Sequence, residues 1–300
     1  MRRNLQWKKK EKVNNKEEKI SDMTMTATIS SADVNRLRQT TGAGMMDCKK
    51  ALVEGNGDFD KAIEILRKKG QKVAASRAER DAKEGIVLAK TSADGTKGIL
   101  VSVNSETDFV ARNEEFAAFV ENVSKIALDK FPSDVNALKA LTYNGTLTIS
   151  DKLTELVGKI GEKLEVSRYE TITAEKVASY IHPGNKLAVI IGFTKNVGDD
   201  AGRNVAMQVA AMAPVSIDKG DVPQEIIDRE LEIGKELARK EGKPENMIDK
   251  IAQGKLNKFY SESTLINQEY IRDAKKTVRQ YLTETDKDAT ITGFKRVALG

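Results

Sequence analysis

Asp108 and Phe109 stand side by side in Thr107-Asp108-Phe109-Val110-Ala111-Arg112-Asn113, which reads as a loop between a strand and a helix. A carboxylate there can compete for polar partners, and an apolar ring there gains nothing from facing water. A ring that the chain's own fold does not need suits another protein's pocket. Read from the residues alone, two plainer roles stay open. Phe109 could be tucked under its own loop, and Asp108 could cap the helix that begins near Asn113. Arg112 reads as a solvated charge.

Covalent chemistry has little to work with. One histidine, His182, and one cysteine, Cys48, cannot build a Cys/His zinc site. The chain contains no H-E-x-x-H, no G-x-S-x-G and no G-x-x-x-x-G-K-S/T phosphate loop. Gly55-Asn56-Gly57 begins like a dinucleotide fingerprint but lacks the third glycine and a preceding strand. The expectation is a protein that is no enzyme, needs no cofactor or metal and binds no nucleotide directly.

A second stretch, Thr41-Gly42-Ala43-Gly44-Met45-Met46-Asp47-Cys48-Lys49-Lys50-Ala51-Leu52, lies upstream. The two stretches, in this order, resemble the signatures of the elongation factor Ts family, and the resemblance runs from about Ile29 to the C-terminus. It implies guanine nucleotide exchange on elongation factor Tu (EF-Tu). It also implies a wedge of Thr107, Asp108, Phe109 and Val110 that disturbs the GTPase's Mg2+ and phosphate site, so that GDP leaves and GTP reloads. Contacts to EF-Tu are implied for Arg38, for the paired Met45 and Met46, for Ile160 and Gly161 with Glu162 in the same region, and for His182. The stoichiometry stays open, a higher-order complex with EF-Tu included. Taken by themselves, Arg38 is a solvated charge, Met46 a gap-filling methionine and His182 a polar turn residue. Gly161, read as lying within a helix, would cost about 1 kcal/mol against alanine, either for close approach of a partner or for an internal contact.

Composition limits the alternatives. Charged residues at 32% with aromatics at 5% indicate a helix-rich soluble protein with several modest cores. No apolar run is long enough to cross a membrane. The sequence pI near 9.0 invites a nucleic-acid reading. However, residues 1–24 hold eight Lys/Arg and four Asp/Glu, leaving 42 basic and 41 acidic side chains in all the rest. Phosphate binding by the folded part is therefore weakly supported, and nucleic acid is not expected as a partner. An RNA- or ribosome-binding adaptor is the alternative function, and a ubiquitin-type docking module a third. A single cysteine excludes an internal disulfide and suggests a reducing cytoplasm.

Periodicity places these residues on an α+β framework. Residues 1–24 read as a disordered basic tail. Residues 25–70 read as a three-helix bundle resembling the ubiquitin-associated (UBA) fold, with Met45, Cys48 and Leu52 on one stripe and the third helix ending before Gly70. A linker helix is expected over 71–84. Two related α+β subdomains with small antiparallel sheets follow, at 85–165 and 166–300, each a hairpin, loop and helix. The second carries an antiparallel helical hairpin at 223–260, with Ile227, Leu231 and Ala238 marking one arm and Met247, Ile251 and Leu256 the other.

Overall fold

A computed structural model describes residues 29–300. The expected tail at 1–24 and the start of the first expected domain lie outside the described residues. By its contacts the chain divides into two compact units: residues 29–76 with Val157–Gly161, and Arg77–Leu156 with Glu162–Gly300.

The first unit holds three helices, α1 (Ser31–Thr41), α2 (Met45–Glu54) and α3 (Phe59–Ser76). Ser30 opens α1 with a reciprocal capping box to Asp33, and Gly42 closes it at φ 67, where its N–H donates to the Arg38 carbonyl. Asp58 accepts from the N–H groups of Asp60 and Lys61 at the start of α3. Val34, Leu37, Cys48, Ala51, Leu52 and Ala62 form the core. Three expectations change. Met45 stands outside the buried stripe, which runs through Cys48, Ala51 and Leu52. Helix α3 does not stop before Gly70 but continues to Ser76, and no linker helix spans 71–84, because residues 77–83 carry no helix. Gly70 lies at close range against the Val157–Gly161 segment of the same unit: a Cβ on Gly158 would meet the Gly70 Cα at 2.8 Å.

The second unit is α+β. Hairpin β1 (Glu84–Thr91) and β2 (Lys97–Ser105) leads through the single turn α4 (Asp108–Ala111) to α5 (Glu114–Lys130) and α6 (Val135–Ala140). A ribbon of β3 (Thr142–Asn144) and β4 (Leu147–Thr148) follows, then α7 (Ile149–Ile160), whose last turn belongs to the first unit. Next come β5 (Leu164–Thr173), β6 (Lys176–Ile181), β7 (Leu187–Phe193) and α8 (Asp199–Met212), which starts inside the loop expected over 196–202. The chain ends with the hairpin α9 (Gln224–Lys240) and α10 (Glu245–Ser263), the ribbon β8 (Glu269–Tyr270) and β9 (Asp273–Thr277), α11 (Val278–Thr285) and β10 (Ile291–Ala298).

The larger sheets are antiparallel, in the orders β1-β2-β5 and β10-β7-β6. Strand β2 is buried almost throughout, as is β7, so both faces of each are covered. Val87, Ala89 and Leu100 of the first sheet share a core with Ala188, Ile190 and Val297 of the second. The other face of the second sheet packs Val189, Ile191 and Phe193 against Val205 and Val209 of α8. The expected boundary between 165 and 166 therefore cuts β5, which pairs along its length with β2, and the two sheets share one interior. In the helical hairpin Ile248, not Met247, is buried, alongside Ala252, Leu256 and Ala238. The arms meet where a Cβ on Gly234 would lie 3.1 Å from the Ala252 Cα.

Candidate functional site

Phe109 lies on the one-turn helix α4, and its position follows from how that turn is held. Thr107 caps it: its side chain accepts from the Val110 N–H. Val110 points inward and is buried. One residue past the turn, Asn113 accepts from the N–H groups of Glu115 and Phe116 and starts α5, whose Phe116 is fully buried. The cap expected of Asp108 is thus supplied by Asn113. The Asp108 carboxylate instead pairs with Arg112 at 2.8 Å, so Arg112 has a partner as well as solvent.

With both ends anchored, Phe109 points outward at 79% exposure, the most open large apolar side chain among the described residues. Leaving such a ring in water forgoes about 1.5–3 kcal/mol of burial. The alternative of a ring tucked under its own loop is excluded.

Two carboxylates fasten the base of the turn. Glu162 accepts from the Thr107 N–H at 3.2 Å and from its hydroxyl at 3.0 Å. Glu106 accepts from the Lys163 N–H at 2.6 Å, from Arg77 at 2.9 Å and 3.1 Å, and from Arg80 at 3.3 Å. Burial raises the Glu106 carboxyl pKa, but the Lys163 N–H and the two guanidinium groups outweigh it and hold the group below its usual range. Sequence reading did not find this arrangement. Residues 106 and 163 meet because Ser105 on β2 lies opposite Leu164 on β5, and only the strand register reveals that.

A second group of expected residues lies in the first unit. Arg38 is exposed on the last turns of α1. Met45 and Met46 begin α2 after Gly44 and are 53% and 64% exposed. Ile160 and Gly161, expected in the first α+β subdomain, belong to this unit instead. Gly161 is not inside a helix. It closes α7 at φ 79, its N–H donating to the Val157 carbonyl at 2.8 Å, and nothing lies within 4 Å of where a Cβ would be. That conformation favours glycine and removes the interior cost expected of it.

His182 occupies the exposed turn between β6 and β7, with its N–H donating to the Leu187 carbonyl. Its Nδ1 lies 3.1 Å from the hydroxyl of Tyr180, two residues back along the chain. Among the described residues no cluster of three or more His, Cys, Asp or Glu side chains could hold a metal ion, and no helix is long and apolar enough to cross a membrane.

Residues 106–300 match the family model described as Elongation factor TS. The chain belongs to the elongation factor Ts family. It is 53% identical over 276 residues to Elongation factor Ts of Christiangramia forsetii, covering 91% of this chain and 100% of that relative. It is 50% identical to Elongation factor Ts of Amoebophilus asiaticus, covering 91% and 99% of the two chains. The corresponding protein of Porphyromonas gingivalis is 48% identical, with 92% and 99% covered. Membership of the elongation factor Ts family makes the chain a translation elongation factor in protein biosynthesis and a guanine nucleotide exchange factor.

Proposed function

We propose that the chain binds EF-Tu loaded with GDP and drives GDP off by inserting Phe109 beside the site that steadies Mg2+ and the phosphates. The carrying observation is the ring itself, 79% exposed on a turn anchored at both ends. Magnesium demands near-ideal octahedral geometry at short distances, so a small displacement of the groups around it weakens it sharply. With the ion loosened the phosphates lose their counter-charge. Asp108, next to the ring and held by Arg112, competes for polar partners of the ion site.

Exchange requires tighter binding to the empty GTPase than to the loaded one, and linkage makes the two effects reciprocal. An approximately 10⁴-fold weakening of GDP needs about 5.5 kcal/mol of differential binding. One phenylalanine supplies about 1.5–3 kcal/mol, so a broader surface must hold EF-Tu while the ring acts. In this reading Arg38, Met45, Met46, Ile160 and Gly161 grip the nucleotide-binding domain, and His182 grips another domain. No covalent bond is made or broken by the factor, and it carries no cofactor of its own. A reducing cytoplasm, where its client works, fits the lone and buried Cys48. The near-neutral charge beyond residue 24 fits a protein partner and gives the RNA-adaptor alternative no support.

Release of a fluorescent GDP analogue from EF-Tu, followed by stopped flow, tests the wedge. Phe109→Ala should still form a complex but release GDP at close to the spontaneous rate. Unimpaired exchange by Phe109→Ala would end the proposal.

A further inference from the structure

We propose that Glu162 is a positioning residue for exchange: through Thr107 it holds the Phe109 turn in its outward conformation, without itself needing to touch EF-Tu. The inference rests on the wedge reading above. An exposed ring has no packing of its own to fix its direction, so its aim must come from the backbone beneath it.

That backbone is one helical turn, too short to persist alone. Its first N–H groups lack intrahelical partners, and the Thr107 hydroxyl takes the Val110 N–H. A hydroxyl has one proton, and here the Glu162 carboxylate accepts it, at 3.0 Å. The lone pairs of Thr107 Oγ1 are thereby turned toward Val110. The same carboxylate takes the Thr107 N–H, so one residue is gripped at both backbone and side chain by an ionised acceptor. Ser105 adds a bond to the Thr107 carbonyl at 2.9 Å, and Val110 seals the inner side. Without Glu162 the hydroxyl is free to rotate, the cap loosens, and Phe109 samples directions that do not meet its pocket. A preorganised contact loses its rate advantage once the reactive geometry is one of many.

The experiment compares Glu162→Ala, Thr107→Val, Thr107→Ser, Phe109→Ala and the Glu162→Ala/Thr107→Val and Glu162→Ala/Phe109→Ala doubles. It reads the maximal rate of GDP-analogue release, the factor concentration giving half that rate, and hydrogen–deuterium exchange of residues 105–113 in the free protein. Glu162→Ala and Thr107→Val should each lower the maximal rate at least about tenfold, because each removes the charge-assisted hydroxyl–carboxylate bond. The half-saturating concentration should move less than about twofold, as for an effect confined to the transition state. The Glu162→Ala/Thr107→Val double should lose less than the product of the two single losses, because both cut the hydroxyl–carboxylate bond while each also removes a bond of its own. Thr107→Ser should recover most of the loss caused by Thr107→Val, and amide exchange at Val110–Arg112 should accelerate in Glu162→Ala with no EF-Tu present. Adding Glu162→Ala to Phe109→Ala should change nothing further. If Glu162→Ala does not fold, E162Q tests the same bond with one acceptor oxygen retained.

A rise in half-saturating concentration at unchanged maximal rate would make Glu162 a direct contact and overturn the proposal. Unaltered amide protection in Glu162→Ala would do the same. A slow Phe109→Ala beside a normal Glu162→Ala defeats the positioning role alone, whereas a normal Phe109→Ala defeats the wedge itself.

Discussion

Phe109 separates folding from function at a single side chain. Its ring touches little of its own protein, so Phe109→Ala should leave stability within about 0.5 kcal/mol in urea unfolding while removing exchange. A large loss of stability would mean that the ring packs in solution. Glu106 has the opposite character. Its side chain is 12% exposed and it receives bonds from Lys163, Arg77 and Arg80, so Glu106→Gln should cost about 1–3 kcal/mol at neutral pH. The sign with pH follows from its lowered folded pKa. Its contribution is fully present above the ordinary carboxylate value of 4.5 and fades as pH falls through the lower folded value. The stability gap between the wild type and Glu106→Gln should therefore close in acid, and a gap that persists at pH about 3 would contradict this account. At this scale the sequence shows that Asp108 and Phe109 are unusual neighbours. It does not show that Arg112 takes the carboxylate, because that depends on the turn closing.

Helix positions were legible where local signals agreed, as at the start of α1 behind its Ser30 cap, whereas the cap of α5 falls to Asn113 and not to Asp108. Glycine was where local reading failed. Gly70 looks like a stop and is not one, whereas Gly161 looks interior and is a left-handed end. The difference is packing: Gly70 faces Gly158, and Gly161 faces open space. Two opposite outcomes test this. Gly158→Val should destabilise the protein by about 1–3 kcal/mol, because its side chain must displace the Gly70 backbone. Gly254→Ala, inside α10 with nothing within 4 Å, should stabilise by about 1 kcal/mol. Thermal or urea unfolding reads both, and equal effects would show that the close approach does not limit packing. Met247 and Ile248 make the same point in the hairpin. Both fit an apolar helix position in sequence, and only the crossing with the other arm buries Ile248.

For the whole molecule, function is a difference between two affinities. The chain should bind nucleotide-free EF-Tu more tightly than EF-Tu with GDP, by the same factor with which it weakens GDP. Isothermal titration of both forms measures that factor directly, and equal affinities would rule out exchange by this route. From residue order alone came the α+β class, the helical bundle, the family signatures and the expectation of a ring left over for a partner. These are legible because helix period, strand runs, caps and motifs are local in the chain. Tertiary structure decided that the two sheets share one interior, that Ile160 and Gly161 cluster with the bundle, and that Glu106 and Glu162 fasten the Phe109 turn. Each depends on residues far apart in sequence brought together by strand register or helix crossing. A one-residue slip would change every such pairing while leaving composition and periodicity as they are.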